Sequence, residues 1–155
     1  MHIIRLRGPW EVEPIWRYEL PLSGRRLDFD PRSPTKQKMP SDWGDALGRD
    51  FLGCVRYRRR FHAPTNLTPQ DFVWLVVEPP RSVGTVELNG HYLGNVEYDQ
   101  PEGRFEVMSL LREANELLVY VSHPALDPDG NRPQQDYVNL PGGLVGEVRL
   151  EIKDQ

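Results

Sequence analysis

Apolar and polar residues alternate with a period of two through most of the chain, a pattern typical of β-strands that bury one face. The alternation predicts strands near residues 3–7, 15–20, 25–29, 54–62, 72–78, 83–88, 91–97, 104–108, 116–122 and 147–153. Phe72 to Val77 is continuously apolar, which predicts a strand buried on both faces or lying at the centre of a sandwich. Asn89-Gly90 separates two alternating runs and predicts a tight hairpin, because both residues tolerate the positive φ of a type I′ turn.

Turn-forming residues occur along the whole sequence. The 15 prolines and 13 glycines, with few long stretches of helical periodicity, indicate many short strands joined by turns. One helical turn is predicted, over residues 109–113. Strands of this number pack as two antiparallel sheets. The 155 residues contain no repeat, linker or low-complexity tract, so we expect a single all-β domain over residues 1–155.

Two long irregular segments, residues 31–50 and 123–140, interrupt this pattern. Loops longer than ~12–15 residues in a compact domain are usually functional or disordered. The second segment includes Asp127 and Asp129, whose spacing is reminiscent of a calcium loop. The bidentate Glu and the middle ligand of such a loop are missing, so we expect a plain turn and no metal.

Charge and composition argue against several partners. A net charge of -4 disfavours a general nucleic-acid or anionic-membrane binder, whose affinity depends on cationic contacts. No segment approaches the ~20 apolar residues of a membrane span. Charged residues interrupt any apolar stretch within the first twenty positions, so the sequence predicts a cytoplasmic protein. Cys54 is the one cysteine, which excludes an intramolecular disulfide, and its apolar neighbours predict a buried structural thiol.

The chain lacks the motifs of other enzyme classes. It contains no Gly-x-Ser-x-Gly elbow, no P-loop and no His-Glu-x-x-His, and its four histidines lie far apart. We therefore expect no catalytic residue, no metal and no organic cofactor.

Four motifs follow one another along the chain, at residues 40–45, 51–61, 83–121 and 142–148. Their order resembles the N-terminal sugar-binding domain of family 2 glycoside hydrolases, the β-galactosidases, β-glucuronidases and β-mannosidases. The resemblance extends from Gly8 to Leu150 and implies a galactose-binding-like jelly-roll β-sandwich. In that family the catalytic glutamates belong to a separate TIM barrel, which by itself takes roughly 250 residues. The resemblance therefore implies the accessory fold without the reaction.

The segment 135–144 looks like the Asp-aromatic-x-Asn loop of the family, most closely in its glucuronidase branch. Asp136 matches the family's Asp, which hydrogen-bonds sugar hydroxyls, and Tyr137 and Asn139 accompany it. A carboxylate suits this task because it accepts two strong hydrogen bonds. The residues alone leave open that Asp136 and Asn139 only cap turns.

Two further features have alternative interpretations. Trp43 is either an anchor for its loop or a platform that stacks on a sugar ring, since both uses need a large apolar face. Arg56, Arg58 and Arg60 alternate along one predicted strand and share a face. They either bind a carboxylate or phosphate, or form a solvated, ion-paired surface.

Together these observations predict a non-catalytic module that binds carbohydrate weakly through Trp43, Asp136, Tyr137 and Asn139. The alternative is a protein-interaction or structural module that packs on a partner protein or glycosidase domain.

Overall fold

The computed structural model describes residues 1–18, 26–28, 35–37, 51, 53–80, 83–122, 144 and 146–153. These residues contain a 3-10 turn at Met108–Leu110 and eleven strands: β1 His2–Arg5, β2 Trp10–Tyr18, β3 Arg26–Asp28, β4 Thr35–Gln37, β5 Gly53–His62, β6 Phe72–Val77, β7 Val83–Leu88, β8 His91–Glu97, β9 Gly103–Glu106, β10 Ala114–Ser122 and β11 Val148–Lys153. In this part of the chain no helix has the length and apolarity needed to cross a membrane.

The strands form two antiparallel sheets, which confirms the predicted all-β sandwich. The smaller sheet has the order β1-β11-β6-β9. The larger sheet has the order β3-β2-β5-β10-β7-β8. β4 pairs with Trp10–Val12 and β3 with Trp16–Tyr18, so the two short strands share the edge of β2 that β5 leaves open.

The core lies between the sheets and contains the inward residues of both. Trp10, Tyr57, Leu75 and Leu117 are each fully buried. The Trp10 indole Nε1 donates a hydrogen bond to the Leu6 carbonyl at 2.7 Å, so its one polar group is satisfied inside the core. Cys54 is buried, as predicted.

β2 is longer than predicted, since it begins at Trp10 instead of residue 15. Its pairing with β5 shifts between Pro14 and Trp16, which leaves Ile15 as the extra residue of a β-bulge. Proline has no N–H to donate and is tolerated at such an irregularity. The bulge interrupts the side-chain alternation after Pro14. From Trp10 to Pro14 buried and half-buried residues alternate, so the pattern was present in the sequence and the predicted start at residue 15 was wrong. β4 was not predicted, and it lies within residues 31–50, which were expected to be irregular.

The Asn89-Gly90 hairpin is confirmed. Asn89 has φ 52° and Gly90 has φ 83°, so both central residues adopt the left-handed region that the turn requires. The predicted helical turn at 109–113 is instead a 3-10 turn one residue earlier, at Met108–Leu110.

Both faces of β6 are covered from Val73 to Val77, in keeping with the continuous apolar run, whereas Phe72 at the start of the strand is 40% exposed. Val73, Leu75 and Val77 are fully buried in the core cluster. Trp74 and Val76 alternate with them and lie beside charged residues of the adjacent strands, with Glu151 opposite Trp74 and Arg149 opposite Val76. Val76 is also fully buried.

Glu151 is the centre of this charged cover. Arg104 Nη2 donates to its Oε1 at 2.7 Å, and Arg149 Nε donates to its Oε2 at 2.8 Å. The hydrogen bond from Arg104 is the main reason why the pKa of Glu151 falls from 4.5 to about 2; burial opposes this shift and Arg149 adds to it. The Glu151 side chain is only 6% exposed, so solvent screens the pairs weakly.

Glu151 should make the domain sensitive to acid. Because its folded-state pKa is lowered, its contribution is complete above the unfolded pKa and is lost as the pH falls toward 2. We expect the wild type to exceed Glu151→Gln by roughly 3 kcal/mol in free energy of unfolding at pH 6, and the gap to close toward pH 2.5. Denaturant titrations at several pH values measure this. Glu97→Gln, at an exposed position on β8, is the control, and a gap independent of pH would contradict the assignment.

Candidate functional site

The four residues predicted to contact carbohydrate lie outside the described part of the chain. Trp43 belongs to the first long segment, and Asp136, Tyr137 and Asn139 belong to the second. Asp127 and Asp129, predicted to form a plain turn, also lie outside it. Their roles therefore remain predictions. The described residues show where the two segments join the sandwich.

The end of the first segment and the start of the second adjoin the same end of the larger sheet. Within the first segment, β4 also pairs with β2 at Trp10–Val12. The first leads into β5, which begins at Gly53, and the second leaves β10 at Ser122. Ser122 pairs directly with Cys54, so the two attachment points are neighbours across one strand pair. Phe51 is 2% exposed and Leu144 is fully buried in the same core cluster, so a hydrophobic residue that follows each segment packs in the core.

The arginine row of β5 forms an ion-paired surface on the outer face of the larger sheet. Arg56 donates to Glu13, which lies opposite it on β2. Arg58 lies 3.4 Å from Glu11 and 3.4 Å from Glu116, on the strands at either side. These carboxylates occupy the two arginines, which favours the ion-paired interpretation of the row.

The charge of Arg56 is set by its burial and its partners. Burial lowers its pKa, and hydrogen bonds to Tyr120 and Glu13 outweigh this effect, so that the pKa is raised overall. Arg56 is therefore a permanently charged structural partner of Glu13. Arg60 is different because its side chain is 68% exposed and its carboxylate contact, to Glu116, is 3.9 Å long.

The opposite end of the larger sheet contains a polar network centred on Asn115, which is 3% exposed. Its Oδ1 accepts from the Arg112 N–H and from Asn89 Nδ2, each at 2.9 Å. Its Nδ2 donates to the Arg112 carbonyl at 2.8 Å and to the Phe61 carbonyl at 3.3 Å. Asn89 Oδ1 accepts the Glu116 N–H at 2.9 Å. The two amides thereby join the hairpin turn to the start of β10 and the end of β5.

A depression of about 540 Å³ lies over this network. Residues 60–62 of β5, the Asn89-Gly90 turn, Arg112 and residues 114–116 of β10 line it. The charged or ionisable groups in the lining are Arg60, His62, Arg112 and Glu116. Sequence reasoning missed this site. The alternation indicates which residues of β5 share a face, but only the sheet order places the turn after β7 beside the end of β5.

Metal ligation has no candidate in the described part of the chain, where no three His, Cys, Asp or Glu residues lie together in a suitable cluster.

The fold is similar to that of part of several β-glucuronidases. The chain matches the Bifidobacterium dentium enzyme, complexed with coumarin-3-O-glucuronide, with a TM-score of 0.74, 21% identity, and coverage of 99% of this chain and 30% of that one. For the Dictyoglomus thermophilum enzyme the TM-score is 0.74, the identity 16%, and the coverage 99% and 28%. For the Ruminococcus gnavus enzyme in complex with D-glucaro-δ-lactam these values are 0.71, 18%, and 99% and 29%.

The chain thus spans about 30% of the length of these three β-glucuronidases. The resemblance expected from the sequence is confirmed as a likeness of fold to one part of these enzymes. No protein-family model matches the sequence, and no curated protein matches it.

Proposed function

We propose that the chain is a non-catalytic accessory module, a galactose-binding-like jelly roll that binds carbohydrate weakly where the two long segments join the sandwich. The observation that carries the proposal is the direct pairing of Cys54 with Ser122. Residues that are far apart in sequence, Trp43 and Asp136, belong to segments attached at neighbouring positions. Loops placed together by a rigid scaffold are the usual location of binding residues.

The chemistry assigned to the two segments suits a sugar. Asp136 offers two acceptor oxygens for vicinal hydroxyls. Tyr137 and Trp43 offer aromatic faces, and Asn139 offers both a donor and an acceptor. One shallow site of this kind should bind with a dissociation constant of order 0.1–1 mM.

Absence of catalysis in this chain is the second part of the proposal. The part of the β-glucuronidases that it resembles is about 30% of their length. Glycoside hydrolysis by the usual route needs two carboxyl groups held at a fixed separation across the scissile bond. A TIM barrel of roughly 250 residues cannot fit in this chain, so we assign the reaction to another part of such enzymes.

NMR titration of the labelled chain with galactose, glucuronic acid and mannose tests carbohydrate binding. We expect saturable shifts with at least one sugar, and we expect Asp136→Ala to abolish them without changing the melting temperature by more than about 2 °C. Asp127→Ala is the matched control. It removes a carboxylate from the same segment, and the resemblance assigns no sugar contact to Asp127. If no sugar shifts any resonance at tens of millimolar, or if Asp136→Ala unfolds the domain, the carbohydrate proposal is wrong.

A protein-interaction role is the second candidate function, favoured by the exposed apolar side chains near the β7–β8 edge. Tyr92 is 61% exposed and Val83 is 38% exposed, and Tyr98 just beyond β8 is 44% exposed. β8 is the last strand of the larger sheet in the described residues. Aromatic residues are enriched at protein interfaces. A chain that binds no sugar would favour this role.

A further inference from the structure

We propose that the depression at the Asn89-Gly90 end of the sandwich is a second binding site, for a small organic carboxylate that carries a ring or another compact apolar face. The site is separate from the proposed carbohydrate site. β5 has ten residues, from Gly53 at one end to His62 at the other, and a strand of this length spans roughly 30 Å. The two sites are therefore at opposite ends of the same strand pair.

Basic side chains from two parts of the chain line the depression. Arg60 and His62 come from the end of β5, and Arg112 comes from the segment before β10. No carboxylate of the described residues lies within 4 Å of the Arg112 guanidinium, and Arg60 has only the 3.9 Å contact to Glu116. Arg58 lies closer to Glu116, at 3.4 Å, so the Glu116 carboxylate pairs more strongly with Arg58 than with Arg60. Arg112 is therefore available to an anion, and guanidinium groups bind carboxylates through two parallel hydrogen bonds.

The apolar part of the lining and the volume indicate which class of anion fits the depression. Phe61 and Ala114 contribute apolar surface beside the cations, which a bare inorganic anion would leave unused. The volume of about 540 Å³ falls within the range of small-molecule sites and exceeds the needs of a phosphate or sulfate ion. A six-membered ring bearing one carboxylate can contact both kinds of surface.

The floor of the depression is rigid. The amides of Asn115 and Asn89 are hydrogen-bonded to the backbone of three segments, and Asn115 uses both its acceptor and its donors in the network. Ligand binding therefore does not have to order these two side chains, and the smaller entropy cost favours affinity.

NMR titration at constant ionic strength tests this site with four compounds: galacturonate, galactose, benzoate and phosphate. Galacturonate and galactose form a matched pair that differs at the carboxylate, and benzoate separates an aromatic acid from a sugar acid as the ligand. We expect saturable shifts of the Gly90 and Ala114 amides with galacturonate, benzoate or both, at a dissociation constant of about 1–10 mM. Galactose and phosphate should not shift these amides saturably.

Substitutions test whether the carboxylate binds in the depression. Arg112→Gln should weaken carboxylate binding about tenfold, because a hydrogen-bonded charge is removed. Arg7→Gln removes an exposed positive charge elsewhere and should leave the affinity unchanged. If Arg112→Gln fails to fold, Arg60→Gln, at a 68% exposed side chain, replaces it and should also weaken binding.

The proposal is wrong if neither carboxylate gives a saturable shift at 50 mM, on the order of five times the largest dissociation constant expected. It is also wrong if galactose shifts the same amides equally. Equal weakening of carboxylate binding by Arg7→Gln and Arg112→Gln would likewise overturn it. The proposed carbohydrate site is tested independently, since its reporters lie near Cys54 and Ser122 and its variant is Asp136→Ala.

Discussion

Replacing Asn115 by alanine should lower the free energy of unfolding by about 3 kcal/mol. The Asn115 side chain is 3% exposed and makes four hydrogen bonds. Alanine leaves the Arg112 N–H and the Phe61 carbonyl without this partner in the floor of the depression. An orphaned buried polar group costs more than the net value of the bond it has lost.

Denaturant unfolding of Asn115→Ala and Asn95→Ala measures the effect. Asn95 is exposed on β8 and undergoes the same chemical change, so its variant should stay within about 0.5 kcal/mol of the wild type. Asn115→Asp should not restore stability, because it replaces an amide donor with a carboxylate oxygen beside two carbonyl groups. Equal stability of Asn115→Ala and Asn95→Ala would show that the network contributes nothing to the fold.

Gly53→Ala should destabilise the domain by about 3 kcal/mol or prevent folding. A Cβ at this position would overlap the Trp16 carbonyl oxygen and come within 2.7 Å of the Arg17 Cα. Both contacts are backbone atoms of β2, which pairs with β5 in register Arg17 to Gly53, so no side chain can rotate away to make room. The strands would have to separate beside the β-bulge.

Gly90→Ala is the matched comparison for Gly53→Ala. A Cβ added at Gly90 would lie in open space, with no atom within 4 Å, and the residue has φ 83°. Its replacement should therefore cost only the left-handed strain, about 1 kcal/mol. Thermal and denaturant unfolding of both variants compares a steric cost with a conformational one. A Gly53→Ala variant as stable as Gly90→Ala would contradict the close approach of β2 and β5.

The sequence predicted the elements whose signals are local. β7, β8 and their turn follow from alternation on both sides of Asn89-Gly90, and β5 and β10 follow from long alternating runs. The first half of β2 was missed although Trp10 to Pro14 alternates with a period of two, and the bulge at Ile15 interrupts this alternation only after Pro14. β4 was missed because three residues, Thr35–Gln37, are too few to show a period.

The long-range arrangement needed the structure. Alternation placed three arginines of β5 on one face, but the choice between ion pairs and anion binding depended on which strands lie beside β5. Glu13 and Glu11 on one side and Glu116 on the other decided it. The depression beside Arg112 likewise depends on three segments that are distant in sequence. The predicted contacts of Trp43 and Asp136 lie outside the described residues and stay predictions.

We propose that sugar binds at the end of the sandwich where β5 begins and β10 finishes. The most direct test is an amide shift map of the wild-type chain titrated with galactose, glucuronic acid and mannose. We predict saturable shifts clustered at Gly53–Val55 and Val121–Ser122 and no saturable shift at Asn89-Gly90 with the neutral sugars. Shifts confined to the Asn89-Gly90 end, or no shift at tens of millimolar sugar, would contradict the claim.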